Sequence, residues 1–304
     1  AFQYSNIKSV ILGDGCEIGA YCFQGSNLNE VVIGNNCILK NDIFSDCSSI
    51  ETVTFGSGIN LANADNLFYR CYNLINISLP NDMQFVPASM FYECASLTNI
   101  EIPNGVESIG DYAFQHCYSL KNIIIPSSVI DVDASAFIDT PWFKAKQSEN
   151  PLVSVNNILI SGTTCVGDIV IPDEIIKICN SAFSSNKNIT SVVIGSNVEI
   201  IGDSAFQGCS NLSEIDIPNS VTSIGTYAFS NTEWLTDKQQ ENPLVSVNNI
   251  LIDGTTCTGD VIIPDNIVSM CAYAFYYNQS IRSVQIPDSI AEIPYEAFYR
   301  CTAL

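Results

Sequence analysis

The sequence predicts a β-rich solenoid in which short structural units stack and share one continuous hydrophobic core. An apolar pattern that starts at Phe91 returns 23 residues later at Phe114 and recurs along most of the chain. Hydrophobic residues make up 47% of the composition and charged residues 14%, so a large core can be buried. A chain of 304 residues is long for one compact core, and a repeat array accommodates that length.

Each unit is predicted to contain a strand followed by a second apolar segment. Ile100 and Ile102 alternate with Glu101, the period of two that is typical of a half-buried strand. Val106 and Ile109 mark the second segment, and Gly and Pro lie between the two. With one strand per unit at ~4.8 Å spacing, the fourteen registers from Phe2 to Phe298 predict a parallel sheet roughly 65 Å long.

Two longer variant units interrupt the pattern near residues 137–183 and 229–275. In every ordinary unit one phenylalanine marks the repeat, and we call it the register Phe. In each of these two stretches 46 residues separate successive register phenylalanines, and Ile160 and Ile252 are expected to take the place of the missing one. The two stretches are near copies, displaced by 92 residues. A helix is predicted to start at Thr140-Pro141, and the paired asparagines at 156–157 and 248–249 predict tight hairpins. We expect residues 1–304 to form a single solenoid cut within a repeat at both ends, hence a fragment or processed form of a longer protein.

The repeat unit resembles the BspA-like leucine-rich repeats. The residues that carry the resemblance run from Phe91 to Phe114 and again from Phe206 to Phe229, as Phe-x-x-Cys-x-x-Leu-x-x-Ile-x-Ile-Pro-x-x-Val-x-x-Ile-Gly-x-x-Ala-Phe in the first run. The resemblance implies a curved, right-handed leucine-rich-repeat superhelix with a parallel β-sheet and short helical and hairpin insertions. It also implies a bacterial surface or secreted protein, adhesion to host matrix proteins or other cells for some members, and no catalytic residues.

The charge balance restricts the classes of partner. Acidic residues number 32 against 11 basic ones, a net charge of -21, which repels nucleic acid and anionic lipid heads. No apolar run reaches the ~18–20 residues of a membrane span, so we expect no membrane insertion. We expect a monomer that lies outside the cell or on its surface and binds a protein or glycan.

Six of the thirteen cysteines share one register, three residues after the repeat Phe: Cys47, Cys71, Cys94, Cys117, Cys209 and Cys301. Other repeats place Ser, Thr or Asn there, so the position favours a small side chain that bonds to the backbone of a turn. We interpret these thiols as a structural ladder. Side chains that point the same way disfavour disulfides between neighbours.

No pattern in the sequence indicates catalysis, a cofactor or a metal. The single histidine, His116, adjoins Cys117, but neighbours in sequence seldom face each other. Acidic residues are scattered over loops and not paired as in glycoside hydrolases. Asp168 and Asp260 follow Gly at matching sites, where a role in a turn is favoured over calcium binding.

Two surfaces are candidates for partner binding. One is a tyrosine group that flanks the cysteine register: Tyr69, Tyr72, Tyr92 and Tyr118, with Tyr276 and Tyr299 placed alike near the C-terminus. The other is the outward column of the strands: Glu101, Ile124, Val170, Val193 and Asp216. The alternatives are that the tyrosines shield the edge of the solenoid and that outward β-branched residues simply suit strands.

These observations favour a non-catalytic, adhesin-like binding module that recognises its partner through an extended face. A structural spacer or scaffold region of a larger secreted or surface protein is the alternative. A hydrolase that uses an acid pair is a third and weaker hypothesis.

Overall fold

The computed structural model describes all residues from 1 to 304. The chain divides into two compact units, Ala1–Asn150 (unit 1) and Pro151–Leu304 (unit 2). Both units are parallel β-solenoids, as the sequence predicted for the fold class. That all 304 residues form one solenoid stays a prediction. Neither of the two helices has the length and apolar composition needed to cross a bilayer.

Unit 1 contains eleven short strands and one helix, and most of its repeats contribute two strands. The strands are β1 Ser9–Leu12, β2 Glu17–Ile18, β3 Glu30–Ile33, β4 Ile38–Lys40, β5 Thr52–Phe55, β6 Asn60–Asn63, β7 Phe85–Val86, β8 Asn99–Glu101, β9 Ser108–Ile109, β10 Asn122–Ile124 and β11 Asp131–Val132, and the helix is α1 Pro141–Glu149.

The strands of unit 1 form two parallel rows. The first row holds the sheets β1-β3-β5 and β8-β10, and the second holds β2-β4-β6 and β7-β9-β11. Registers are fixed by the repeat, so that Ile123 pairs with Ile100 and Val132 with Ile109, both 23 residues apart. The repeat length therefore sets which residues become neighbours in space.

Unit 2 contains thirteen strands and a second helix. The strands are β12 Val153–Val155, β13 Ile158–Ser161, β14 Gly167–Val170, β15 Lys177–Ile178, β16 Ile189–Val193, β17 Ile200–Ile201, β18 Glu214–Asp216, β19 Ser223–Ile224, β20 Val245–Val247, β21 Ile250–Asp253, β22 Gly259–Ile262, β23 Ser269–Met270 and β24 Ile281–Gln285, and the helix is α2 Glu233–Glu241. The first row holds β14-β16-β18 and β22-β24, and the second holds β12-β13-β15-β17-β19 and β20-β21-β23.

The prediction of one strand per repeat and one sheet of roughly 65 Å was wrong. The second apolar segment also forms strands, such as β9, and no sheet exceeds five strands. Buried peptide groups of the second segment need partners too, and the neighbouring repeat supplies them. In unit 1 the first row breaks between β5 and β8, because the repeat of Phe68 contributes no strand to it; the backbone bonds from Ser96 N to Tyr72 O and from Thr98 N to Ile75 O, 3.2 and 3.1 Å long, join that repeat to the next.

A ladder of stacked phenylalanine rings forms the core of each unit. In unit 1 the rings of Phe91 and Phe114 have centroids 5.4 Å apart and planes 11° apart. In unit 2, Phe206 lies 4.8 Å from Phe183 and 5.7 Å from Phe229. These rings come from successive repeats at one register, so the periodicity that predicted the fold is also the stack that fills it.

Glycine, not isoleucine, takes the place of the register Phe in the variant units. Phe91 N donates to Ala113 O, and Gly162 N and Gly254 N make the matching bonds to Ala182 O and Ala274 O. The expectation for Ile160 and Ile252 was therefore wrong by two residues. A Cβ on Gly162 would lie 1.9 Å from the Phe183 ring, and one on Gly254 would lie 2.3 Å from the Phe275 ring. The following Phe occupies the volume that a side chain would need.

The insertions begin and turn where the sequence predicted. Thr140 Oγ1 accepts a bond of 3.0 Å from Phe143 N and so caps α1, and Thr232 does the same for α2 through Leu235 N. The antiparallel pairs β12-β13 and β20-β21 are the predicted hairpins. Asn156 and Asn248 have φ of 51° and 48°, a left-handed conformation that Asn tolerates.

Candidate partner-binding surfaces

The cysteine register ties each repeat to the one before it. Each of the six thiols donates to the carbonyl oxygen of the register Phe in the previous repeat, not of the one in its own repeat. Cys94 donates to Phe68 O at 3.2 Å and Cys117 to Phe91 O at 3.0 Å. Burial raises the pKa of the Cys94 and Cys117 thiols well above the ordinary value. All thirteen cysteines are free thiols. A protonated thiol bonded to a carbonyl is a structural group and a poor nucleophile.

Beside this ladder, the tyrosines of unit 1 form a preassembled cluster. The Tyr69 and Tyr92 rings stack at 4.9 Å with planes 6° apart. The His116 ring meets Tyr92 edge-on at 5.3 Å and lies 5.6 Å from Tyr118. The repeat places these residues on successive turns, so the cluster follows from the same register that builds the core.

An ion pair holds the cluster in place. The Arg70 guanidinium lies 4.9 Å from the centre of the Tyr69 ring, and its Nε donates to Glu93 Oε2 at 3.0 Å. The Tyr72 hydroxyl donates to the same carboxylate oxygen at 3.0 Å. Burial and the Glu93 charge raise the pKa of the Tyr92 phenol, and burial with the Glu93 hydrogen bond raises that of Tyr72. Both hydroxyls therefore stay protonated and able to donate.

The cluster has a rigid base and an exposed rim. Tyr69 and Tyr92 are half-buried, while Tyr72 is 40% exposed and Tyr118 is 57% exposed. His116 Nδ1 lies 3.1 Å from Asp139 Oδ2, with Lys144 on the other oxygen at 3.5 Å. The histidine is thus part of the cluster and makes no contact suited to activating Cys117, whose thiol faces the Phe91 carbonyl.

The predicted outward strand column is exposed in both units. In unit 1, Ile124 is 60% exposed and Glu101 is its exposed partner across the β8-β10 pair. In unit 2, Val170 is 66% exposed and Val193 43%, and Val193 pairs with the exposed Asp216. Exposure places these residues where a partner can reach them, and their role in binding stays a prediction.

The expected role of Asp168 and Asp260 in a turn was wrong, because the structure places them in strands β14 and β22, where they accept hydrogen bonds from the neighbouring repeat. Asp168 Oδ1 accepts bonds of 2.8 Å from Thr190 Oγ1 and Ser191 Oγ, which lower the pKa of its carboxyl. Asp260 Oδ1 accepts one from Ser283 Oγ at 2.8 Å. No three His, Cys, Asp or Glu side chains come together in a way that could hold a metal ion.

A second tyrosine cluster in unit 2 was largely missed by the sequence reasoning, which named two of its members. Tyr273 lies at its centre, with the Tyr227 ring 5.4 Å away and the Tyr276 ring 5.3 Å away. The Glu296 hydrogen bond raises the pKa of Tyr273 to about 12. The cluster extends to Tyr277, Tyr295 and Tyr299. The signal for it was available, because most of these positions hold serine 92 residues earlier in the first near-copy.

Comparisons with known proteins agree with the repeat pattern. A family model described as the BspA type leucine rich repeat region, with six copies, matches residues 16–144, 62–190, 143–251 and 176–304. No curated protein matches the chain.

Several solved structures resemble the chain at low identity. A leucine rich cell surface protein from Faecalibacterium prausnitzii is 22% identical, with 99% of this chain and 82% of that chain covered and a TM-score of 0.38. A leucine-rich repeat protein from Bacteroides ovatus is 20% identical, with 95% and 81% covered and a TM-score of 0.38. The pneumococcal vaccine antigen PcpA is 16% identical, with 95% and 70% covered and a TM-score of 0.36.

The family model covers nearly the whole chain, and its repeat is the one that the stacked phenylalanines and the thiol ladder display. The resemblance read from the residues is thereby confirmed. The chain belongs to the BspA-type leucine-rich repeat family.

Proposed function

We propose that the chain is the recognition region of an extracellular or cell-surface protein, which binds a protein or glycan partner and catalyses no reaction. The observation that carries the proposal is the tyrosine cluster of unit 1. Its base, Tyr69 and Tyr92, is fixed by stacking and by the Arg70–Glu93 pair, and its rim, Tyr72 and Tyr118, faces solvent.

This arrangement suits recognition for a thermodynamic reason. Binding costs free energy when mobile side chains must be ordered, at about 0.5–1.5 kcal/mol per rotamer-rich side chain. A cluster held by ring stacking and by bonds to Glu93 is ordered before the partner arrives. Tyrosine adds a large apolar surface and a hydroxyl that donates hydrogen bonds.

The exposed strand columns supply a second, flatter contact area. In unit 1, Ile11 is 80% exposed and Ile124 is 60% exposed, and in unit 2, Ile262 is 67% exposed. Exposed aliphatic residues on a sheet are favourable contacts for a partner that lies along it. The net charge of -21 favours partners with basic surfaces.

The test compares variants that the repeat itself shows to be compatible with the fold. The register of Tyr72 and Tyr118 is occupied by Ser48 and Ala95 in neighbouring repeats. The double variant Tyr72→Ser, Tyr118→Ala is therefore expected to fold, and Tyr112→Ser, at a site 47% exposed outside the cluster, is the matched control.

Immobilised panels of extracellular-matrix proteins and glycans would be screened with the wild-type chain by surface plasmon resonance. For a ligand found in this way, we expect the double variant to lose about 10-fold or more in affinity, since a tyrosine hot spot contributes above about 1 kcal/mol. The control should stay within about 2-fold. Equal affinity of the double variant and the wild type would refute the role of the cluster. Failure to bind any panel member would favour the spacer hypothesis, and turnover of a glycan or peptide would favour the hydrolase.

A further inference from the structure

Unit 2 contains a cavity of about 280 Å³ that is separate from the surfaces described above for unit 1. Tyr227, Tyr273 and Tyr276 contribute aromatic walls, and Gln239 of α2 and Asp253 of β21 contribute polar groups. We propose that this cavity binds one basic head group, the ammonium or guanidinium of a lysine-like or arginine-like side chain of a partner.

The first argument is the carboxylate of Asp253. Its Oδ1 accepts bonds from Gln239 Nε2 at 2.9 Å and from Thr255 N at 3.1 Å. The Thr255 hydroxyl lies 2.9 Å from Oδ1 and 3.2 Å from Oδ2, and its single proton can serve one of them. All donors are neutral, and no lysine or arginine lines the cavity.

Burial raises the pKa of the Asp253 carboxyl, because the charged form has lost water. A desolvated carboxylate that meets neutral donors alone keeps an unfavourable charge. A cationic ligand supplies the missing opposite charge and a further hydrogen bond, which is stronger than one between neutral groups.

The second argument is the aromatic wall. The Tyr273 ring lies 5.4 Å from Tyr227 and 5.3 Å from Tyr276, so three electron-rich rings in mutual contact belong to the lining of the cavity. Cations are attracted to such ring faces within about 6 Å. The same cluster already holds one cation, since the Arg300 guanidinium lies 5.1 Å from the Tyr277 ring and 5.4 Å from the Tyr299 ring.

The third argument is an internal comparison between the two near-copies. Positions 92 residues apart keep glutamine and threonine, as Gln147 and Gln239 and as Thr163 and Thr255 show. Four positions that line the cavity instead change from serine to an aromatic or acidic residue: Ser135 to Tyr227, Ser161 to Asp253, Ser181 to Tyr273 and Ser184 to Tyr276. Stacking of repeats does not require these residues, because the first copy does without them.

Both copies hold the same backbone at the central tyrosine. Tyr273 has φ of 59° and Ser181 has φ of 58°. Tyr21 and Tyr112 take the same left-handed conformation at the same register of ordinary repeats, so the turn accepts either side chain. The change from serine to tyrosine therefore alters the lining of the cavity and leaves the turn unchanged.

The size of the cavity selects among ligands. Pockets for drug-sized molecules measure about 300–1,000 Å³, so 280 Å³ accommodates one side chain or a small amine and not an oligosaccharide. The net charge of -21 also draws cationic partners toward the chain.

The test titrates the full chain with Nα-acetyl-lysine-amide and Nα-acetyl-arginine-amide, followed by NMR of the tyrosine ring signals. The neutral control ligand is Nα-acetyl-norleucine-amide. We expect at least one basic amide to bind with a Kd on the order of 1 mM, as suits a ligand of this size, and the neutral one at least about 10-fold more weakly.

Three variants locate the binding. Asp253→Asn keeps the shape of the side chain and should weaken binding about 10-fold or more. Tyr273→Ser with Tyr276→Ser, which restores the residues of the first copy, should do the same. Asp265→Asn removes one charge at an exposed turn outside the cavity and should leave the Kd within about 2-fold.

Three results would overturn the proposal: the neutral amide binds as tightly as the basic ones, Asp265→Asn weakens binding as much as Asp253→Asn does, or neither basic amide binds. Binding of a neutral monosaccharide at the same tyrosine signals with no response to the amides would also overturn it. Failure here is distinguishable from failure of the proposed function, because the variants at Tyr72 and Tyr118 leave this cavity unchanged and the variants at Asp253 leave the cluster of unit 1 unchanged.

Discussion

The stacked rings of unit 2 allow a quantitative test of what stabilises each repeat. Phe206 is fully buried and has a ring neighbour on both sides, Phe183 at 4.8 Å and Phe229 at 5.7 Å. Replacing a buried Phe by Ala costs about 3–5 kcal/mol. Two aromatic pairs account for about 1–3 kcal/mol of that loss. The variant Phe206→Leu keeps most of the apolar volume and removes both ring pairs. Its free energy of unfolding should therefore be about 1–3 kcal/mol lower than that of the wild type.

The comparison variant is Phe298→Ala, at the end of the second ring stack of unit 2, which Gly254 separates from the stack of Phe206. Phe298 is half-buried and has one ring neighbour, Phe275 at 4.9 Å. Half the burial of a Phe side chain and one ring pair predict that the free energy of unfolding falls by about 1–3 kcal/mol, less than for Phe206→Ala.

The assay combines urea denaturation followed by circular dichroism with native-state hydrogen exchange. The amides of Phe183 and Phe206 donate to the next repeat, so their exchange reports on the local opening of the ladder. We expect Phe206→Ala to accelerate both amides and to lower the free energy of unfolding more than Phe298→Ala. If the two substitutions cost the same, the ring ladder is not the main source of stability and the reasoning is refuted.

Three other predictions follow from single contacts. Gly254→Ala should lower the free energy of unfolding by about 1–3 kcal/mol in urea melts, because its Cβ would lie 2.3 Å from the Phe275 ring; an unchanged midpoint would show that the ring has room to move. In the native chain at pH 8, a thiol reagent should label Cys16 and Cys22 quickly, the half-buried ladder thiol of Cys301 more slowly and the ten buried cysteines most slowly, since burial raises the pKa of thiols such as Cys301 and Cys271, the latter to about 12; equally rapid labelling of all thirteen would contradict the buried ladder. Because the folded-state pKa of Asp253 is raised above 3.8, its charged form opposes folding. The wild type therefore loses stability as pH rises from about 3.8 through the raised pKa, and the Tm of Asp253→Asn should increase relative to that of the wild type over this range. A constant difference in Tm would argue that the carboxylate is not desolvated.

Much of the candidate site follows from the register. The positions of Tyr69, Tyr92 and Tyr118 relative to the cysteine ladder are fixed by the repeat, so their proximity was foreseeable from their spacing. The contacts that hold them were not, since the pairing of Arg70 with Glu93 depends on side-chain reach across two turns. The cavity of unit 2 was missed because its lining comes from elements that are distant in sequence. Asp253 belongs to an inserted hairpin, and Tyr273, 20 residues later, belongs to an ordinary turn of the next repeat.

By itself, the sequence determined the repeat length, the residues of the core, the capped helices, the hairpins and the family. These features depend on local periodicity and on turn chemistry, which a linear pattern records directly. The tertiary structure alone decided that the repeats contribute two strand rows, that Gly162 and Gly254 stand in the place of phenylalanine, and that tyrosines, a glutamine and a half-buried carboxylate enclose a cavity. The physical reason is that hydrogen-bond pairing and packing volume are settled between repeats, where each side chain meets atoms that its own neighbours in sequence do not specify.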